Sequence, residues 1–396
     1  MEFEHVIGGL AEENREATSL LGGFMEIDLS ALYAKTGGFI RGICHPHGFI
    51  RELKEAGINW VRMDVPYPFK DERLSDGYVR YREECRRYNA DGVGVVAISP
   101  YPDAFVEAGI DASSPEGLRA VEETCWFLSR DFARMKVCWQ ASNELYIPHF
   151  REPLNEAEAV EFLAASIRGL KSGNPASAVG HNSVDRDMAF PLKAVEEKSG
   201  SCDYIGLDLY DGTWSAGGPD TFMERIDELA RRTGKPVILM EFGFSSMGAG
   251  SEDIWTEGIK WLADRGFKSA EDAVRRLDEV LRFMPPRCGE RVRSCAESDK
   301  VSCLMSCMPH VLKTWPAPAP ILHSEEGQAE FYGRLLPLLL KNPRLGGAVI
   351  YCMQDSESCF FCGERDCPCE TAWGLLRTDG TPKLAYDAVR KSWKEI

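Results

Sequence analysis

Pro236-Val-Ile-Leu-Met-Glu-Phe-Gly243 is an apolar run, β-branched and long-aliphatic, that ends on a carboxylate. Its length and composition predict a strand buried on both faces, as parallel sheets require. Val137-Cys-Trp-Gln-Ala-Ser-Asn-Glu144 reads the same way and also ends on a glutamate. A carboxylate at the mouth of a buried strand is costly to place there, so Glu144 and Glu241 are the first candidates for chemistry.

Working outward, similar runs predict strands over residues 39–44, 60–65, 94–99, 137–141, 178–182, 204–209, 237–241 and 348–353. Segments with apolar spacing of three and four lie between them, at 49–56, 78–88, 117–134, 157–171, 222–232 and 327–340. Glycine stands just before a predicted strand at Gly57 and Gly234, where a helix would stop. Strands alternating with helices imply a parallel sheet, and eight strands close a barrel. The predicted fold is therefore α/β, a (β/α)8 TIM barrel over residues 38–396. An N-terminal helical extension (1–37) precedes it. A long Cys-containing insertion (245–325) follows the seventh strand, and a Cys-rich loop (356–372) follows the eighth. Loops of that length are more often functional than mere connectors.

With 396 residues and 44% hydrophobic content, the chain can fill a sizeable core. A net charge of −16 argues against nucleic acid and anionic membranes as partners, since both need a basic face. No stretch reaches the ~20 apolar residues of a membrane span. The first residues lack the basic and apolar segments of an export signal, so a cytoplasmic location is expected. Association with further copies of the chain is left open.

The glutamate motifs and their surroundings resemble the clan of (β/α)8 retaining glycosidases that includes cellulases, β-mannanases and β-galactosidases. Asn143-Glu144 matches the clan's Asn-Glu after the fourth strand, and Glu241-Phe242-Gly243 matches its glutamate after the seventh. The resemblance implies a retaining β-glycosidase acting on oligosaccharides by double displacement, without a catalytic cofactor. Glu144 would be the acid/base and Glu241 the nucleophile, with Asn143 binding the sugar 2-hydroxyl. Arg62 and Tyr210 match an arginine and a tyrosine beside the nucleophile, and Trp373 opens a segment like the one that closes such barrels. Departures are Asp208, where several families of the clan carry His, and the lack of Trp in Tyr351-Cys-Met-Gln-Asp355. In this reading His47, His181, Asp208, Trp214 and Asp355 would be further substrate-binding residues.

A competing constellation is His45, His47, His181 and Asp355, which partly matches metal-dependent amidohydrolases, although it gives Glu241 no role. Of fourteen cysteines, Cys359, Cys362, Cys367 and Cys369 fall within eleven residues. Their spacing predicts a structural zinc site, because four thiolates leave no open coordination position. Cys288, Cys295, Cys303 and Cys307 form a looser group, for which metal or disulfides are both compatible.

Overall fold

The computed structural model describes residues 27–184, 192–200 and 202–394. Eight parallel strands close a barrel: β1 (Ile40–Cys44), β2 (Trp60–Asp64), β3 (Gly94–Ile98), β4 (Val137–Gln140), β5 (Ala178–Val184), β6 (Tyr204–Leu209), β7 (Val237–Phe242) and β8 (Leu345–Ile350). β1 pairs with both β2 and β8, so the sheet has no free edge. Helices α1 (Ile50–Glu55), α2 (Asp76–Ala90), α3 (Pro115–Asp131), α4 (Glu156–Gly173), α5 (Leu192–Ser199), α6 (Phe222–Thr233), α7 (Glu325–Leu339) and α8 (Leu384–Lys394) follow the strands in turn. The barrel is the architecture expected from the alternation. Helices α5 and α8 were not among the predicted segments.

Local signals set the helix ends. Ser75, Ser114 and Ser324 accept a backbone N–H at the starts of α2, α3 and α7. Asn155 and Glu158 form a reciprocal capping box on α4. α6 stops at Gly234, whose φ of 67° is left-handed.

β8 runs over 345–350 rather than the expected 348–353. Gly346 and Gly347 lie inside the strand, where a Cβ would meet Leu32 and Ile40 at 2.3 and 2.4 Å. The N-terminal extension is described only as a helix over Ser30–Thr36; the rest of that expectation lies outside the described residues.

Two cores form. Outward-facing strand residues such as Val61, Val95, Ile205 and Leu239 pack under the helices. Inward-facing Ile40, Trp60, Val96, Tyr204, Ile238 and Val349 fill the barrel, and their cluster continues into the insertion and the Cys-rich loop. The insertion is helical, with segments Ile254–Ala263, Ala270–Arg275, Pro286–Ser294, Lys300–Ser306 and Met308–Leu312.

α3 and α4 approach closely because Gly169 and Gly173 carry no side chain at the contact. A Cβ on Gly169 would lie 2.2 Å from the Glu122 carbonyl oxygen, and one on Gly173 would lie 2.4 Å from that of Trp126. Gly169→Ala should therefore destabilise the protein by about 1–3 kcal/mol in urea unfolding, although alanine is the better helix former.

Candidate active site

The site lies at the carboxyl ends of the strands, and β7 shows how it is aimed. Strict alternation would turn Ile238 and Met240 inward and Glu241 outward. Instead β7 carries one extra residue, so that Leu239 pairs with Leu207 and Glu241 with Asp208. This bulge turns Glu241 into the barrel mouth, and Phe242 returns to the helix layer.

Arg62, on β2 and only 4% exposed, reaches Glu241 across the mouths of β1 and β8. Its Nη1 donates to Glu241 Oε1 at 2.5 Å, Nη2 donates to Asn143 Oδ1 at 2.7 Å, and Nε donates to Gln140 Oε1 at 2.9 Å. The Tyr210 hydroxyl donates to the other Glu241 oxygen at 2.5 Å. Both oxygens of Glu241 are thus held, one by a buried cation.

Glu144 sits in the turn leaving β4, where Ser142 and Glu144 adopt left-handed φ values of 51° and 49°. Each such non-glycine residue costs on the order of 1–3 kcal/mol and needs support from its surroundings. Asn182 supplies it. Its Oδ1 accepts from the Glu144 N–H at 3.0 Å, while its Nδ2 donates to Asn143 Oδ1 at 2.6 Å and to Asp208 Oδ2 at 2.5 Å. The Glu144 carboxylate accepts from the Tyr146 hydroxyl at 2.7 Å and from Asn143 Nδ2 at 3.4 Å.

The charge balance separates the carboxyl groups. Burial, and then the charge of Glu241, push the Glu144 carboxyl up to about 7. Burial and the charges of Glu241 and Glu144 push fully buried Asp208 well above the carboxylate range. Glu370, from the Cys-rich loop, also faces this group. It is raised by burial, then by Cys359 and Glu241, and it meets the Tyr351 hydroxyl. The Arg62 guanidinium stands among these acids and pairs with Glu241.

Glu144, Glu241, Arg62, Asn143, Asp208 and Tyr210 therefore converge at one barrel mouth. Trp373 is 2% exposed and backs the rings of Tyr210 and Tyr351 at 5.2 and 5.8 Å instead of presenting a face to solvent. Trp214 is exposed, edge-on to Trp315 at 5.4 Å. His45 and His47 are exposed after β1. The field of Glu241 reaches His45, whose ring is nonetheless shifted down, mainly by its crowded surroundings.

Two expected pocket residues lie elsewhere. His181 alternates with Asn182, so it faces the helix layer; it is fully buried and shifted down to about 4 by desolvation. Asp355 accepts from the Gly374 N–H at 2.8 Å and pairs with buried Lys383 at 2.7 Å, tying down the C-terminal segment. The histidine constellation is consequently not assembled: His181 is walled off and Asp355 is occupied. Sequence reasoning missed Asn182, Gln140, Tyr146 and Glu370. Strand alternation locates Asn182, since it shares a face with Gly180 beside the inward Tyr204.

The cysteines divide differently from the expected sets. Cys359, Cys362 and Cys367 converge with His310, and Cys369 is outside that group. Cys295 and Cys303 form a disulfide, while Cys288 and Cys307 are buried free thiols. A disulfide removes Cys295 and Cys303 from any ligand set.

No family model matches the chain, and no curated protein matches it either. Solved structures do share its fold. A family 39 glycoside hydrolase from Bacteroides cellulosilyticus aligns with a TM-score of 0.56 at 14% identity, over 90% of this chain and 64% of its own. A β-glucuronidase from an uncultured Clostridium aligns at 0.52 and 14%, over 91% of this chain and 50% of its own. A β-galacturonidase from Eisenbergiella tayi aligns at 0.51 and 13%, over 91% and 51%. The chain thus has the (β/α)8 fold seen in these glycoside hydrolases, and it spans about half the length of the two uronidases.

Replacing Arg62 by Met leaves Glu241 buried without its cation. The variant should lose about 3–5 kcal/mol of stability at neutral pH, measured by urea unfolding.

Proposed function

We propose that the chain is a retaining β-glycosidase in which Glu144 is the acid/base and Glu241 the nucleophile. The observation that carries this reading is the unequal treatment of two carboxyl groups at one barrel mouth. Glu241 is ion-paired and hydrogen-bonded on both oxygens; Glu144 is crowded, raised to about 7 and able to hold a proton. Retaining hydrolysis needs such a division of labour, with the two groups on either side of the scissile bond.

In the first step Glu144 protonates the leaving-group oxygen while Glu241 attacks the anomeric carbon, forming a glycosyl ester. As negative charge leaves Glu241, the Arg62 and Tyr210 hydrogen bonds weaken, so these donors also set its reactivity. In the second step Glu144, now ionised, takes a proton from water, which displaces Glu241 and returns the same anomer. Asn143, fixed by Arg62, Gln140 and Asn182, presents its amide beside Glu144 for a sugar hydroxyl. No step requires a metal.

Glu241→Gln should cut turnover of an aryl β-glycoside by more than about 10⁴-fold. Proton NMR on the wild type should show the β-anomer first. Full turnover by Glu241→Gln, or the α-anomer first, would overturn the assignment. Glu144 acts protonated, so kcat/KM should fall as pH rises through about 7, and Glu144→Gln should abolish that limb along with about 10²–10⁴-fold of rate.

The sugar class follows from charge. Two of the structural neighbours are uronidases by name, and a uronic acid brings a carboxylate into the pocket. Among the described residues, Asp208 and Glu370 stand around the pair, and Arg62 is already committed on all three nitrogens. We infer a neutral glycoside as substrate. Neutral aryl β-glycosides should exceed the matching β-glucuronide by about 100-fold or more in kcat/KM, since a uronate carboxylate buried there without a free cation costs several kcal/mol. The reverse preference would refute the inference.

A further inference from the structure

We propose that His310, Cys359, Cys362 and Cys367 bind one zinc ion in a closed structural site. This goes beyond the glycosidase reading and does not depend on it. The four ligand atoms all lie within 4.8 Å of one another, and all four residues are buried. His310 comes from the helix Met308–Leu312 of the insertion, and the thiols come from the loop after β8.

The spacing fits a tetrahedron. Zinc bonds of ~2.3 Å to sulfur and ~2.0 Å to nitrogen place neighbouring ligand atoms about 3.5–3.8 Å apart. His310 Nδ1 lies 3.3 Å from Cys367 Sγ and 3.6 Å from Cys359 Sγ. The imidazole is prevented from turning: Phe361 stacks on it with centroids 4.1 Å apart and planes 9° apart, and Arg291 covers Phe361 at 4.0 Å. The Cys362 N–H points at Cys359 Sγ at 3.4 Å, a donor that favours the thiolate a metal needs.

The alternatives fit less well. Cys359, Cys362 and Cys367 are free thiols in a structure that does join Cys295 to Cys303. Plain apolar packing would not direct an imidazole nitrogen at two sulfurs. The Cys369 thiol lies outside the group in which these four ligand atoms converge. With four protein ligands no position is open for substrate or water, so the ion would have a structural task. That task is visible in the chain path. The thiol loop leads directly to Glu370 and Trp373 at the barrel mouth, and the ion would clip it to the insertion where the loop has little core of its own.

Elemental analysis of the full-length chain should give about one zinc per molecule, and its X-ray absorption fine structure should show three sulfurs and one nitrogen. His310→Ala and Cys359→Ser should each weaken retention against a chelator at least tenfold, as loss of one ligand demands. Cys369→Ser should keep the metal. A wild-type chain that holds no zinc after reconstitution, a four-sulfur shell, or loss of zinc in Cys369→Ser with retention in His310→Ala would each overturn the proposal. The wild-type measurements decide even if a variant fails to fold, and none of these readouts relies on activity.

Discussion

A single buried guanidinium organises the barrel mouth. Arg62 stands nearly out of solvent on β2 and links β2 to the ends of β4 and β7 through Gln140, Asn143 and Glu241. Removing a cation from water is costly, and the cost is offset only if every donor finds a partner and the charge is matched. Here the match is made by one carboxylate. For the other acids burial outweighs the field of Arg62 and drives Glu144 and Asp208 towards their neutral forms. The unequal treatment of these acids is thus a consequence of where the Arg62 charge is committed.

Delivering that pattern requires two departures from regular structure. β7 gives up its register to turn Glu241 inward, and the turn after β4 places Ser142 and Glu144 in left-handed conformations. Neither would persist alone. The first is held by two strong donors on the Glu241 carboxylate, the second by the side chain of Asn182 on the Glu144 amide. Strain and its restraint occupy the same few residues, which is where a barrel stores the geometry of its chemistry.

Much of this was legible in the sequence because barrel strands are short, apolar and punctuated. The alternation placed most elements within one or two residues, and the strand-end positions of Glu144, Glu241, Arg62 and Tyr210 pointed to one mouth. What was hidden depended on parity or on distant contacts. His181 stands at a strand end as a candidate pocket residue, yet alternation gives the inward position to Asn182. Asp355 looked like a ligand until Lys383, far along the chain, claimed it. His310 stood in an insertion whose helices have no repeat to read, so three thiols suggested a fourth from their own loop.

The mouth is consequently built from two sources with different physics. The strand ends supply Arg62, Gln140, Glu144, Asp208 and Glu241, and their positions follow from ladder register and a shared hydrogen-bond network. Glu370 and the Trp373 support come from a loop after β8, and Trp315 from the insertion; both are set by packing against each other. A barrel can keep the first set while the second is rebuilt, because the closed sheet does not need those loops to hold its shape. The chemistry therefore belongs to the sheet. The loops bring a further acid, Glu370, to that mouth, where burial raises it as it raises the acids of the strand ends.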